Sequence, residues 1–142
     1  MDLRMDKKQR DTFLNDVRIG VLGLGDGERG PLTAPLWYVY EGGGQLWFMV
    51  ELGSRKDKLM SESKRVSLCV QNEKFPYSYV SIEGPIKTIE EVGAHDPCHD
   101  QIARRYLGDV DGPAFIESLP NTPWLKVTMQ IERWLSMDMA NA

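Results

Sequence analysis

The sequence has 142 residues, 42% of them hydrophobic, which suits one sizeable core and hardly two, so a single domain over residues 1–142 is expected. A net charge of −4 with both signs scattered along the chain excludes the basic stripe that grips nucleic acid. No apolar run reaches the roughly 18 residues of a membrane span, and Met1 to Arg10 is charged where a secretion signal would be apolar, so a cytoplasmic protein with no membrane partner is expected. Two cysteines, Cys69 and Cys98, fit a reducing compartment without a disulfide.

Taken in chain order, Asp6 to Asn15 reads as a short helix leading into a strand. Val17, Ile19 and Val21 alternate with Arg18, Gly20 and Leu22, and the glycine-dense stretch from Gly25 to Gly30 forces a hairpin turn. A second extended run, Leu32 to Tyr40, ends at Gly42-Gly43-Gly44 and should pair with the run Gln45 to Glu51. Ser54 to Ser61 lacks β-branched residues and reads as a helix with Ser54 as N-cap. Alternation returns in Val66, Leu68 and Val70, then in Val80 and Ile82. Asp96-Pro97 reads as a cap followed by proline at the first helical position, with Gly108 as the stop, and a further short helix covers Pro113 to Leu119. Leu125, Val127, Met129 and Ile131 mark a long closing strand.

Six strands at hairpin spacing predict a mainly β protein, a small antiparallel barrel whose closure removes exposed edges, with a β-sandwich as the alternative. The run from Gln45 is apolar on both faces, Trp47 and Met49 on one and Leu46, Phe48 and Val50 on the other, so its outer face must be covered by a helix or by a second subunit. A homodimer is the favoured expectation.

The sharpest chemical feature is Ser54-Arg55-Lys56-Asp57-Lys58 at the start of the second helix. Free amides and the helix dipole already make that end positive, and each added cation costs an isolated helix about 0.3–1 kcal/mol. An anion held between Arg55 and Lys56 removes that conflict, and a phosphate suits the guanidinium fork, the mobile ammonium and the Ser54 hydroxyl. A solvated charged helix start, partly offset by Asp57, is the competing reading. The glycines from Gly25 to Gly30 precede another extended run rather than a helix, so they do not make a dinucleotide loop. His95, Cys98 and His99 form the one cluster with ligand chemistry, but Cys98 falls on an apolar helical stripe with Ile102 and His95 precedes the cap, so no metal site is expected.

The stretch from Pro31 to Pro85 resembles the pyridoxamine-phosphate-oxidase-like, FMN-binding split barrels, in particular their flavin and deazaflavin (F420) oxidoreductase branch. The resemblance is carried by Pro31-Leu32-Thr33-Ala34-Pro35-Leu36-Trp37-Tyr38, Leu46-Trp47-Phe48, Gly53-Ser54-Arg55-Lys56, Arg65 to Val70, and Tyr77 to Pro85, in that order. Weaker echoes run through Ala103 to Gly108 and Glu132 to Ser136. It implies a six-stranded split barrel, a tight homodimer, and a cofactor, F420 or FMN, in each groove at the subunit interface. Ser54, Arg55 and Lys56 would hold the phosphate, with Lys58 useful for a polyanionic tail. The strand Thr33, Ala34, Pro35 and Leu36 would lie along the ring, and backbone groups near Val50 and Glu51 would touch it, although many flavin-binding members have threonine and asparagine at those two positions. Trp37, Tyr79 and Trp134 are candidates to stack on the ring or shape a substrate pocket, a role that competes with filling core or interface.

The activity so implied is hydride transfer between the bound cofactor and a small organic substrate, with no side chain marked as general base. The alternative is a flavin, F420 or haem binder that serves as carrier or sensor. A haem site would need an axial ligand, and His95 and His99 both lie off the expected strands. Pyridoxamine-phosphate oxidation itself is not expected, because no basic residues can be assigned to a second phosphate.

Overall fold

The computed structural model describes all of residues 1–142. Helix α1 (Lys7–Asn15) starts at a capping box in which Asp6 and Gln9 satisfy each other's amides. Strands β1 (Gly20–Asp26) and β2 (Arg29–Leu36) form a hairpin whose turn needs only Gly27 and Glu28, with Gly27 at φ +57°. Strands β3 (Tyr38–Gly42) and β4 (Gln45–Glu51) form a second hairpin, where Gly43 and Gly44 at φ +60° and +77° supply the positive dihedrals of a tight turn. Helix α2 (Arg55–Ser63) follows, capped by Ser54, and then β5 (Arg65–Asn72) and the long β6 (Ser78–Gly93). Helix α3 (Pro97–Ser118) leads to β7 (Pro123–Gln130) and β8 (Arg133–Asp138).

The strands are antiparallel and ordered β2-β1-β5-β6-β7-β4-β3, with β8 paired to β6 beside that path. Strands β2 and β3 stand at opposite ends of the path, yet only Trp37 separates them in the chain. One residue spans only a few ångströms, so the sheet must curl until its two ends meet. The closure runs through the backbone at Trp37 and not through a ladder. Leu22, Tyr38, Phe48, Leu68, Ile82 and Val127, drawn from six strands, pack in the enclosed core, and Leu14, Leu59 and Met60 of α1 and α2 join them.

Strand β6 links the two halves of the curl. It pairs with β8 up to Glu83 and with β5 up to Pro85, then turns to pair with β7 from Ile86 onward. A Cβ at Gly84 would overlap the carbonyl oxygen of Gln130, so glycine is required where the two backbones pass.

Several boundaries depart from the sequence reading. The run Leu32 to Tyr40 is two strands, not one: β2 pairs with β1, and only β3 pairs with β4. The closing strand expected from Leu125 to Ile131 is β7, but a further strand that was not expected, β8, follows it and returns along β6. The sheet therefore has eight strands where six were expected. The extended run read through Val80 and Ile82 continues to Gly93, bending at Gly84. Gly108 stops the first part of α3 as expected, at φ +90°, and the chain resumes helix beyond it through the segment expected from Pro113. The outer face of β4 is covered by α3 of the same chain, with Ile102 against Val39, Trp47 and Met49. That face therefore gives no argument for a second subunit.

Candidate functional site

The segment after β4 builds the N-terminal end of α2. Gly53, at φ +79°, reverses the chain, and Ser54 in extended conformation caps the helix, its hydroxyl accepting from the Asp57 amide at 3.3 Å. The Asp57 carboxylate turns back to accept the Gly53 amide at 2.8 Å. The amides of Arg55 and Lys56, the first two of the helix, meet no acceptor in the chain. The Nη2 of Arg55 donates to both oxygens of Asp26 at 2.7 Å, which ties α2 to the end of β1. Its Nε and Nη1 are uncommitted. Two open amides, the cap hydroxyl and half of a guanidinium fork fit a phosphate-sized oxyanion, while Asp26 and Asp57 offset two of the three cations Arg55, Lys56 and Lys58. Asp26 was missed in the sequence, where it is one polar residue of a glycine-rich turn; only the register of β1 places it beside α2.

A cleft opens along the strand that leads into this helix. Strand β4 continues past Phe48, its last residue paired with β3, through Met49, Val50 and Glu51, which pair only with β7. Continued pairing would set Trp37 and Leu36 beside Met49 and Val50, but β2 instead peels away to β1. Pro35, Leu36, Trp37 and Met49 accordingly line one cavity of about 270 Å³. Thr33 and Pro35 point to the outer face of β2, while Ala34 and Leu36 point inward and are half-buried. The Val50 side chain is in the core at 1% exposure, so only its backbone is available, and Glu51 is exposed.

The aromatic candidates separate. Trp37 stands in the cleft, stacked on Tyr106 at 5.1 Å and meeting Phe115 edge-on at 5.6 Å. Tyr79 lies on the outer face of β6 and lines a different cavity with Cys69 and Tyr77. Trp134 packs inward against Tyr40, with the Arg10 guanidinium 4.8 Å from its ring. Within one chain, therefore, Tyr79 and Trp134 are not brought to the cleft.

The His95, Cys98 and His99 cluster does not converge. His95 is exposed, while the Cys98 sulfur lies 3.7 Å from that of Met49 in the apolar cluster under α3. Burial, and then the Asp96 carboxylate beside it, pushes the Cys98 thiol up to about 12, so it stays protonated at neutral pH. His99 is buried, its Nδ1 2.9 Å from the Ala94 carbonyl and its ring against Trp124.

These elements define a curled antiparallel barrel with a strand-end cleft and an open, cation-flanked helix start. A family model described as pyridoxamine 5'-phosphate oxidase matches residues 6–135, and the chain belongs to that family of split barrels. Among solved structures, an F420 reductase superposes with a TM-score of 0.71 at 16% identity, covering 88% of this chain and 94% of that one. A conserved hypothetical protein of Mycobacterium tuberculosis gives 0.73 at 22% identity, covering 97% and 88%. An FAD-binding protein of Mesorhizobium loti gives 0.61 at 18% identity, covering 93% and 91%. At these identities the likeness is one of fold. No curated protein matches the chain.

Proposed function

We propose that the chain is a six-stranded-core split-barrel oxidoreductase that binds F420 or FMN and transfers a hydride between it and a small organic substrate, as a cytoplasmic homodimer. The observation that carries this reading is the pair of open amides at Arg55 and Lys56, on the segment that β4 enters shortly after Met49 lines the cleft. A phosphate would sit on those amides with Arg55, Lys56 and Ser54 around it, and Lys58 would meet a charged tail. Thr33, Ala34, Pro35 and Leu36 would form the ledge under the ring, with backbone groups of Val50 and Glu51 at its edge. When bound, such a cofactor supplies hydride transfer at its central ring. The protein's part is to orient the ring and keep water from it, and Trp37, fixed by Tyr106 and Phe115, is placed to wall the cleft.

The dimer is supported by the outer face of β1, β5, β6 and β8, which no helix covers. The register sets Pro35, Val21, Cys69, Ser81 and Leu135 in one cross-strand row, and Val21 and Leu135 are 38% and 62% exposed. Thr33 and Pro35 share that face, so a second copy laid on it would border the cofactor ledge and would bring Tyr79 near it. Replacing Arg55 and Lys56 together by alanine is expected to weaken FMN or F420 binding at least about ten-fold, since two charge-assisted contacts are lost. Unchanged affinity in a folded double variant would refute the assignment.

A further inference from the structure

The cavity beside Trp37 contains one polar group that neither the fold nor the phosphate site accounts for. His99 is 4% exposed and reaches this cavity from the first turn of α3, among Trp37, Met49, Ile102, Phe115 and Trp124. Its Nδ1 faces the Ala94 carbonyl at 2.9 Å. A carbonyl only accepts, so Nδ1 carries the hydrogen and Nε2 holds a lone pair. No donor of the chain meets Nε2. Burial lowers the imidazolium below its ordinary range, which keeps the ring neutral and Nε2 an acceptor at neutral pH.

We propose that this cavity is a substrate subsite for a planar aromatic molecule bearing a hydroxyl or N–H donor, which His99 accepts at Nε2 while Trp37, Phe115 and Trp124 enclose the ring. Aromatic and aliphatic walls take the apolar body, and a single fixed acceptor orients it, the usual division of labour in a ligand pocket. An unpaired acceptor left in such a pocket favours ligands that satisfy it over isosteres that cannot. The proposal rests on the oxidoreductase reading for the reaction that follows, because Pro35 and Leu36 of the cofactor ledge form the same cavity wall. Binding in the cavity does not need the cofactor.

The test is a titration of cofactor-free protein with 2-naphthol and with 2-methoxynaphthalene, followed by tryptophan fluorescence and by the imidazole nitrogen signals of 15N-labelled His99. The phenol is expected to bind about three- to ten-fold more tightly than its methyl ether, shifting the Nε2 signal and leaving Nδ1 in place. His99→Asn keeps a donor for Ala94 but has no atom at the Nε2 position, its own oxygen standing closer to the backbone, so it should abolish the preference. Equal affinities, a preference that survives His99→Asn, or an unmoved Nε2 signal would overturn the proposal. Should the variant fail to fold, the wild-type nitrogen signals decide. FMN or F420 binding without either naphthalene rejects the subsite alone, whereas naphthol binding without a cofactor rejects only the oxidoreductase reading.

Discussion

Tyr106 holds the cleft open at the point where the barrel closes, and its hydroxyl offers a sharp test of the fold. Tyr38 begins β3 just after the chain has left β2, so its amide has no ladder partner there. The Tyr106 hydroxyl accepts that amide at 3.1 Å and donates to the Arg18 carbonyl at 2.6 Å. Tyr106→Phe removes the acceptor and leaves a buried N–H unpaired, since Tyr38 is 0% exposed. An orphaned buried donor costs about 1–3 kcal/mol, more than the net worth of an ordinary hydrogen bond. For a chain of this length that is a fall in Tm of roughly 3–12 °C. Thermal and urea unfolding of both proteins measure it, with the urea slope checking that the folded state is unchanged. The ring stack on Trp37 is retained in phenylalanine, so the loss isolates the hydroxyl. A loss under about 0.5 kcal/mol would refute the claim that α3 supplies the missing partner at the barrel's closure.

Gly84→Ala should be more severe, about 1–3 kcal/mol or beyond, because a Cβ there meets the Gln130 backbone and not a movable side chain; urea midpoints measure it, and a neutral result would contradict the tight crossing of β6 and β7. Leu135→Asp places a charge on the uncovered sheet face, so sedimentation should show a shift toward monomer together with weaker cofactor binding; a dimer of unchanged strength would remove that face as the interface. His99 contributes a pH dependence of definite sign. Its folded pKa is lowered, so above the unfolded value of about 6.5 its contribution is intact, and as pH falls below that the unfolded chain takes up the proton first and stability drops. The wild type should therefore lose more stability than His99→Asn between pH 7.5 and 5.5, and equal losses would count against burial of a neutral ring.

Much of this was legible in local sequence because local physics decides it. Ser54 and Asp96-Pro97 mark helix starts through backbone groups that need a nearby oxygen, and Gly43 and Gly108 occupy positive φ where other residues are strained. The placing of Arg55 and Lys56 in the first turn of a helix was visible for the same reason. What escaped was set by tertiary pairing. Nothing in Leu36-Trp37-Tyr38 announces that the chain changes partners there, since both strands are apolar and extended on either side of the break. Nothing local shows that the strand through Val80 and Ile82 runs on past Gly84, where only the passing backbone of β7 makes glycine a mid-strand bend. The Asp26–Arg55 pair joins residues far apart in the chain, and His99 read as a ligand candidate until its partner, the Ala94 carbonyl, placed its second nitrogen in the cavity.

The central claim, that the helix start at Ser54 to Lys58 anchors a flavin-type cofactor beside the β2 ledge, is tested most directly by titrating ligand-free protein with FMN and with F420 in parallel, following tryptophan quenching and cofactor fluorescence. The account predicts micromolar or tighter binding of one of them, lost in the Arg55, Lys56 double alanine variant. Binding of neither would leave the split barrel intact and contradict the oxidoreductase assignment.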